Sequence, residues 1–335
     1  MYMIKDVILD NLEKPQVTYN LNPSQSRAVN IIKDAYDNRE IGLIQGPPGT
    51  GKTSVIVSSI GDLIRKLDKN EILVYVAPTN KLVYDALEDV VPILRWQLGY
   101  TTLEDISKAI RVFGSDFNYK DVSKVRSPVD KDVKVILTTD YQKFYVAYKE
   151  AADKGFSFTF LVDEASKSPI YRFLTPIALE LIRADKYNYK LSIDSLSVVG
   201  DPMQAISKKP IYKTHREYLL MMSILTSMVS DVVPDLMDQI NRSPMILYKI
   251  LPSIKSKLVN FEMLDTTYRI PAPSHRIISK GFYNDLLNAY TNVDTRLDYR
   301  DDLVREFEDY IKPSQIAKKI IDAVSNDIGV VYIRV

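Results

Sequence analysis

The chain has 335 residues, 46% of them hydrophobic, enough to bury a large core and to make one full domain with an appendage. Its 44 basic and 43 acidic residues leave a net charge of +1, which excludes a polybasic nucleic-acid binder and confines any strand binding to a local channel. With no cysteine, disulfides, thiolate metal sites and a cysteine nucleophile are excluded, and the two histidines, His215 and His275, are set too far apart to suggest a zinc site. No apolar run approaches the length of a membrane span and Met1 to Asp6 does not read as a signal peptide, so a cytoplasmic protein with no membrane partner is expected. Few glycines with abundant Ile, Lys and Tyr suggest a heat-adapted archaeal host or one of its mobile elements.

In chain order, residues 1–20 form an N-terminal segment, and Leu21 to Val29 opens the first patterned stretch. Ile41 to Gln45 reads as a buried strand, and Ser54 to Leu67, with Val55, Ile56, Ile60, Leu63 and Ile64, carries helical apolar spacing. Between them Gly46-Pro47-Pro48-Gly49-Thr50-Gly51-Lys52-Thr53 is a complete G-x-x-x-x-G-K-T phosphate loop. The glycines let successive backbone N–H groups close around phosphates, and the helix dipole adds positive potential. Lys52 is expected to reach the β and γ phosphates, Thr53 to offer its hydroxyl to Mg²⁺, and Ser54 to complete the nucleotide-binding set.

A second strand, Ile72 to Val76, leads into Ala77-Pro78-Thr79-Asn80. Between Asn80 and Val133 there is room for a helix, a short strand at Ile110 to Phe113 and a polar loop, Lys120 to Lys134. Val133 to Thr139 is a strand ending in the hydroxyls of Thr138 and Thr139. Phe158 to Val162 delivers Asp163 and Glu164 at a strand's C-terminal end, the edge at which open parallel sheets bind ligands. Asp163 would hold Mg²⁺ through its water shell, and Glu164 would orient and deprotonate the water attacking the γ-phosphate. Ser195 to Val199 runs into Gly200-Asp201-Pro202-Met203-Gln204. Tyr218 to Leu251 reads as two apolar helices whose Met stripe, from Met221 to Met228, belongs to a core. Strands near 41, 72, 110, 133, 158 and 195 separated by crossovers specify an α/β fold, a parallel sheet covered by helices on both faces.

An AAA+ ATPase would be expected to carry a polar sensor residue on the strand where this chain has Gly-Asp-Pro-x-Gln, which instead resembles the third motif of superfamily 1 helicases. Leu21 to Val29 resembles that family's Q motif, Ala77 to Asn80 its motif Ia, Val133 to Thr139 its motif Ic, and Leu264-Asp265-Thr266-Thr267-Tyr268-Arg269-Ile270-Pro271 its Tyr-Arg motif. Seven motifs in register resemble the branch that includes the RNA helicase of nonsense-mediated decay, over roughly residues 20–335. The resemblance implies a RecA-like P-loop NTPase acting on single-stranded DNA or RNA, with movement 5′ to 3′. By the same resemblance Gln25 reads the adenine edge, Gln204 senses the γ-phosphate, Tyr268 stacks on adenine and Arg269 is an arginine finger from a second domain. Pro78, Thr79, Asn80, Thr138 and Thr139 would lie against the nucleic-acid backbone, with Phe113 or Tyr141 as a stacking aromatic.

The pattern departs from the family at its end, since motifs V and VI do not occur before Val335, and Ile328 to Ile333 resembles an early strand of the second domain. A fragment, a decayed copy and a natural short form all remain open. The expected division is a first RecA-like domain at 21–204, a helical insertion or remainder of that domain at 205–261, and a partial second RecA-like domain at 262–335. The expected function is an ATP-dependent helicase or translocase core, weak or inactive as this chain alone. The alternative is an ATP-binding clamp on nucleic acid, or an interaction module for a partner, without unwinding.

Overall fold

The computed structural model describes residues 2–114, 117–118, 129–140, 151, 153–167, 186, 193–201, 203–204, 259–272 and 274–290. The chain forms two compact units, one of residues 1–45 with 52–263, the other of residues 46–51 with 264–335.

In the first unit, apolar β-rich runs make seven strands of one sheet: β2 (Ile41–Gln45), β3 (Glu71–Ala77), β4 (Ile110–Phe113), β6 (Val135–Thr139), β7 (Ser157–Val162), β8 (Ile193–Gly200) and β9 (Val259–Met263). They lie in the order β4-β6-β3-β7-β8-β2-β9, and every neighbouring pair is parallel. Gln45, Ala77, Thr139, Val162 and Gly200 therefore end at one edge, which collects their following turns. One cluster of the core holds Ile72, Val74, Val76, Ile136, Phe158, Phe160 and Val162, all buried, as continuous apolar runs in a parallel sheet require. A further two-residue strand, β1 (Tyr2–Met3), pairs with β5 (Phe117–Asn118).

Among the described residues five helices belong to this unit: α1 (Ile4–Leu12), α2 (Pro23–Asn38), α3 (Lys52–Lys66), α4 (Asn80–Leu98) and α5 (Leu103–Ala109). Helix α2 starts because Asn22 accepts from Gln25 N while the Gln25 side chain accepts from Asn22 N, a reciprocal cap with Pro23 at the first helical position. Helix α3 buries Val55, Ile56, Ile60, Leu63 and Ile64, the stripe read from the sequence.

Three features of this unit go beyond the sequence reading. The stretch expected to hold one helix between Asn80 and Val133 holds two among the described residues, because Gly99 takes the left-handed conformation (φ 72°) that stops α4, and Thr102 with Asp105 caps a new start. The N-terminal segment is structured: α1 buries Val7 and Ile8, Arg95 of α4 pairs with Glu13 at 2.8 Å, and Trp96 Nε1 donates to Lys14 O at 3.1 Å. Strand β9 was not foreseen, and it carries Phe261, Glu262 and Met263 into the first sheet beside β2. Its Val-Asn-Phe-Glu-Met alternation was the available signal. Tyr141, the helices at 218–251 and the strand at 328–333 lie outside the described residues.

Asp89 on α4 is half-buried beside Glu88 and Asp85, and burial first, then those charges, raises its pKa to about 6. A carboxyl raised in the folded state contributes stability that is complete below its unfolded pKa near 3.8 and is lost as pH rises through about 6. Partial exposure cuts the cost at neutral pH to about 1 kcal/mol. Asp89→Asn should raise the melting temperature by about 2–4 °C at pH 7.5. That gain should shrink towards nothing as pH approaches 4. Identical melting curves at pH 7.5 would remove the argument.

Candidate nucleotide site

Strand β7 ends at Val162, and the next residue, Asp163, is 7% exposed. Tyr75, one strand away on β3 and itself buried, donates its hydroxyl to Asp163 Oδ2 at 2.8 Å, while Glu164 N donates to Oδ1 at 2.6 Å. The carboxylate plane is fixed from both sides. Burial raises the Asp163 pKa to about 6, the Glu164 charge adds to the rise, and the two hydrogen bonds and Lys52 oppose it. Burial, then the Asp163 charge, pushes the Tyr75 phenol well up.

Glu164 sits at φ 46°, a left-handed conformation that costs a non-glycine residue about 1–2 kcal/mol. That backbone turns its carboxylate to Lys52 Nζ, 3.6 Å from Oε1, and to Lys167 Nζ, 3.2 Å from Oε2. Both Lys52 and Glu164 are largely buried, at 12% and 14% side-chain exposure, so the pair is shielded from solvent. A short 3-10 turn, Ala165–Lys167, follows. Ser166 Oγ accepts from Asp201 N at 3.3 Å, tying this turn to the end of β8. A Cβ on Gly200 would stand 3.1 Å from both Ala165 N and Ser166 N, so the two backbones meet closely where glycine stands. Asp201 is fully buried, and its Oδ1 accepts from Met203 N at 3.1 Å while its carbonyl accepts from Gln204 N at 3.1 Å. Gln204 is thus held on a short turn just past the sheet edge.

In the second unit the phosphate loop has Gly49 at φ 72° and Gly51 at φ 81°, the alternation that lets consecutive N–H groups face one point. Thr50 is buried and closes the loop on Pro47 O through Oγ1 at 2.8 Å and its N–H at 3.3 Å. The loop apex meets the Tyr-Arg segment. Thr267 Oγ1 donates to Pro48 O at 2.8 Å, and Tyr268 N donates to Gly49 O at 2.8 Å. A Cβ at Gly49 would collide with the Arg269 Cβ, so glycine is required there by conformation and by space. Two-residue strands β10 (Thr266–Thr267) and β11 (Asn288–Ala289) pair in parallel and hold this segment, and α6 (His275–Phe282) lies between them in sequence. Tyr268 is 42% exposed and packs on Tyr290, their ring centroids 4.7 Å apart.

The other residues picked out by sequence divide. Thr53 is exposed at the start of α3. Gln25 is 4% exposed and its Oε1 already accepts from Asn22 N at 2.9 Å, so it caps α2 whatever else it does. Thr79 is exposed and caps α4 by accepting from Leu82 N at 3.4 Å, with Asn80 at the helix's first turn. Thr138 and Thr139 are instead buried, at 1% and 6% exposure, and Thr138 Oγ1 donates to Thr139 O at 3.1 Å. Phe113 packs against the core cluster rather than standing free for a base. Sequence reasoning missed Tyr75, Lys167 and Thr267. Tyr75 was legible only as a phenol in a buried strand, a group that needs a partner when buried.

Among the described residues no three His, Asp or Glu side chains cluster to hold a metal. Mg²⁺ is commonly bound by one or two protein groups together with water and substrate phosphates. Asp163 and the Thr53 hydroxyl are oxygen groups that could serve in that way.

A seven-stranded parallel sheet with a G-x-x-x-x-G-K-T loop after β2 and an Asp-Glu pair after β7 is the fold of a RecA-like P-loop NTPase. Residues 20–143 match the AAA_11 family, described as an AAA domain, and the chain resembles superfamily 1 helicases. Seventy-five residues are 37% identical to the DNA polymerase alpha-associated DNA helicase A of Saccharomyces cerevisiae, a stretch covering 22% of this chain and 10% of that protein. Among solved structures, the Sulfolobus solfataricus SWI2/SNF2 ATPase core in complex with dsDNA has a TM-score of 0.40 at 14% identity, over 95% of this chain and 59% of that one. A DEAD-box helicase bound to ssRNA and UDP-BeF has a TM-score of 0.37 at 12% identity, over 96% of this chain and 80% of that one. Among the described residues no helix is long and apolar enough to cross a membrane.

Proposed function

We propose that this chain is the ATP-hydrolysing core of a cytoplasmic nucleic-acid helicase or translocase, using Mg²⁺ and moving 5′ to 3′ on single-stranded DNA or RNA. The observation that carries this reading is the pairing of Lys52 with Glu164 across 3.6 Å, with Asp163 beside it held rigid by Tyr75. A lysine after a glycine-rich loop is a phosphate ligand, and a carboxylate poised next to it is a base in need of a water. Loop amides from Gly46 to Gly51 and the Lys52 ammonium would take the phosphates, Gln25 and Tyr268 the adenine, and Asp163 with Thr53 the Mg²⁺. Bound Mg²⁺ supplies charge neutralisation at the phosphates. Phosphate binding would draw Lys52 from Glu164 and free that carboxylate to accept a proton from water, with Gln204 reporting the γ-phosphate. Thr79, Asn80 and Pro78 are the stronger candidates for backbone contact with nucleic acid, since Thr138 and Thr139 are buried.

The test is ATP binding and steady-state hydrolysis with and without single-stranded DNA or RNA, on the wild type and on Lys52→Ala. One charge-assisted phosphate contact is worth about 1.5–3 kcal/mol, so the variant should bind ATP about 10- to 100-fold more weakly. Strand-stimulated hydrolysis lost in the variant supports the motor reading. Binding without stimulated hydrolysis would leave an ATP-gated clamp on nucleic acid, and equal binding by both proteins would end the ATPase reading.

A further inference from the structure

We propose that Thr267 is a positioning residue whose hydroxyl locks the phosphate loop to the Tyr-Arg segment, so that the shape of the loop and the placement of Arg269 are set together. The inference rests on the reading of Gly46 to Thr53 as the triphosphate site. Thr267 is fully buried, and its hydroxyl makes three hydrogen bonds. Oγ1 donates to Pro48 O at 2.8 Å and accepts from Arg269 N and Ile270 N, each at 3.3 Å. One proton given and two lone pairs filled is the whole capacity of a hydroxyl. No other side chain can replace that arrangement except serine.

The surroundings make the junction stiff. Thr267 O accepts from Tyr290 N at 3.0 Å and Asp265 O accepts from Asn288 N at 2.7 Å, so strand pairing fixes the backbone from which the hydroxyl projects. On the loop side, Gly49 O accepts from Tyr268 N at 2.8 Å, one residue along from the Thr267 contact. Two adjacent loop carbonyls are thereby turned towards the Tyr-Arg segment. In a trans peptide unit the carbonyl and the N–H point opposite ways, so turning the Pro48 and Gly49 carbonyls towards the Tyr-Arg segment fixes the directions of the Gly49 and Thr50 N–H groups of the same units, in a loop where Gly49 and Gly51 take left-handed φ. The same hydroxyl holds the Arg269 backbone. A loop that relaxes moves the arginine with it.

The experiment is the Kd for ATP, measured by titration in the presence of Mg²⁺, on this chain and on Lys52→Ala, Thr267→Val, Thr267→Ser, Arg269→Ala and the Thr267→Val/Arg269→Ala double variant. Valine keeps the shape and deletes the hydroxyl. It should weaken binding at least tenfold, about 1.4 kcal/mol. Serine should restore the Kd to within twofold. The few-fold cost of Arg269→Ala should disappear in the Thr267→Val background, the double variant binding as Thr267→Val does, because an interaction shared by loop and arginine is lost only once; a full additive loss would overturn the coupling. Wild-type affinity in Thr267→Val, with Lys52→Ala impaired, overturns the inference and leaves the nucleotide site standing. Should the valine variant fold poorly, serine decides alone: a tenfold loss there would assign the role to the methyl group's packing and overturn the inference. Absence of ATP binding in the wild type, or no effect of Lys52→Ala, removes the nucleotide site and this inference with it.

Discussion

Glu164→Gln should lower ATP turnover by about 10² to 10⁴, the range that a positioned general base contributes, while ATP binds as tightly as before or more tightly. The asymmetry follows from the site. Glu164 is paired with Lys52 at 3.6 Å and Lys167 at 3.2 Å, so its charge competes with phosphate for the lysine. An amide relinquishes that competition and cannot accept the proton of an attacking water. The substitution is close to isosteric and keeps the strained φ of 46°, so folding should be unaffected. Rates are best compared above pH 7, where Asp163, with its pKa raised to about 6, is ionised. Turnover within threefold of the wild type would take Glu164 out of the base role and pass the question to Gln204.

The second large effect is expected at Arg269. Its Cβ stands directly over Gly49, at the apex of the phosphate loop, and its backbone N–H is held by Thr267. A guanidinium presented to a departing phosphoryl group is worth about 10³ to 10⁵ in rate. Arg269→Ala should therefore cost about 10³ in turnover and only a few-fold in ATP affinity. Arg269→Lys should recover little, since a point charge on a flexible stem does not reproduce the planar fork. Single-turnover measurements at saturating ATP check this. A loss confined to affinity would make Arg269 a ground-state ligand rather than a finger.

Neither effect depends on which nucleic acid is engaged. Both test whether hydrolysis chemistry resides in this chain, and together they separate water activation, at the end of β7, from charge neutralisation beside the loop. Retained binding with lost turnover in each variant is the combination that a motor requires. A clamp would show no turnover to lose.

Much of the fold was legible because the chemistry is local. Six strands were readable as apolar runs bounded by turn residues, and the loop, the Asp-Glu pair and the Gly-Asp-Pro turn each occupy consecutive positions. Strand β9 was missed because its alternating Val259, Phe261 and Met263 stand at a sheet edge after a long stretch of helical pattern. The short α5 was missed because one glycine and one capping threonine decide it. Thr138 and Thr139 show a matter that the sequence left open. Hydroxyls at a strand end look like surface contacts in a sequence, yet these are buried in the sheet.

The sequence by itself determined the phosphate-loop fold, because a phosphate loop is a property of the backbone over eight adjacent residues and an Asp-Glu pair is one dipeptide. It determined the parallel sheet too, since continuous apolar strands joined by crossovers admit little else. Tertiary structure alone decided which groups meet. Tyr75 and Asp163 are 88 residues apart, Lys52 and Glu164 are joined only across the sheet edge, and Thr267 reaches Pro48 over 219 residues. A pattern of residues records what each side chain can donate or accept. Which partner receives it depends on strand order and on long-range closure, and neither is written in any local stretch of the chain.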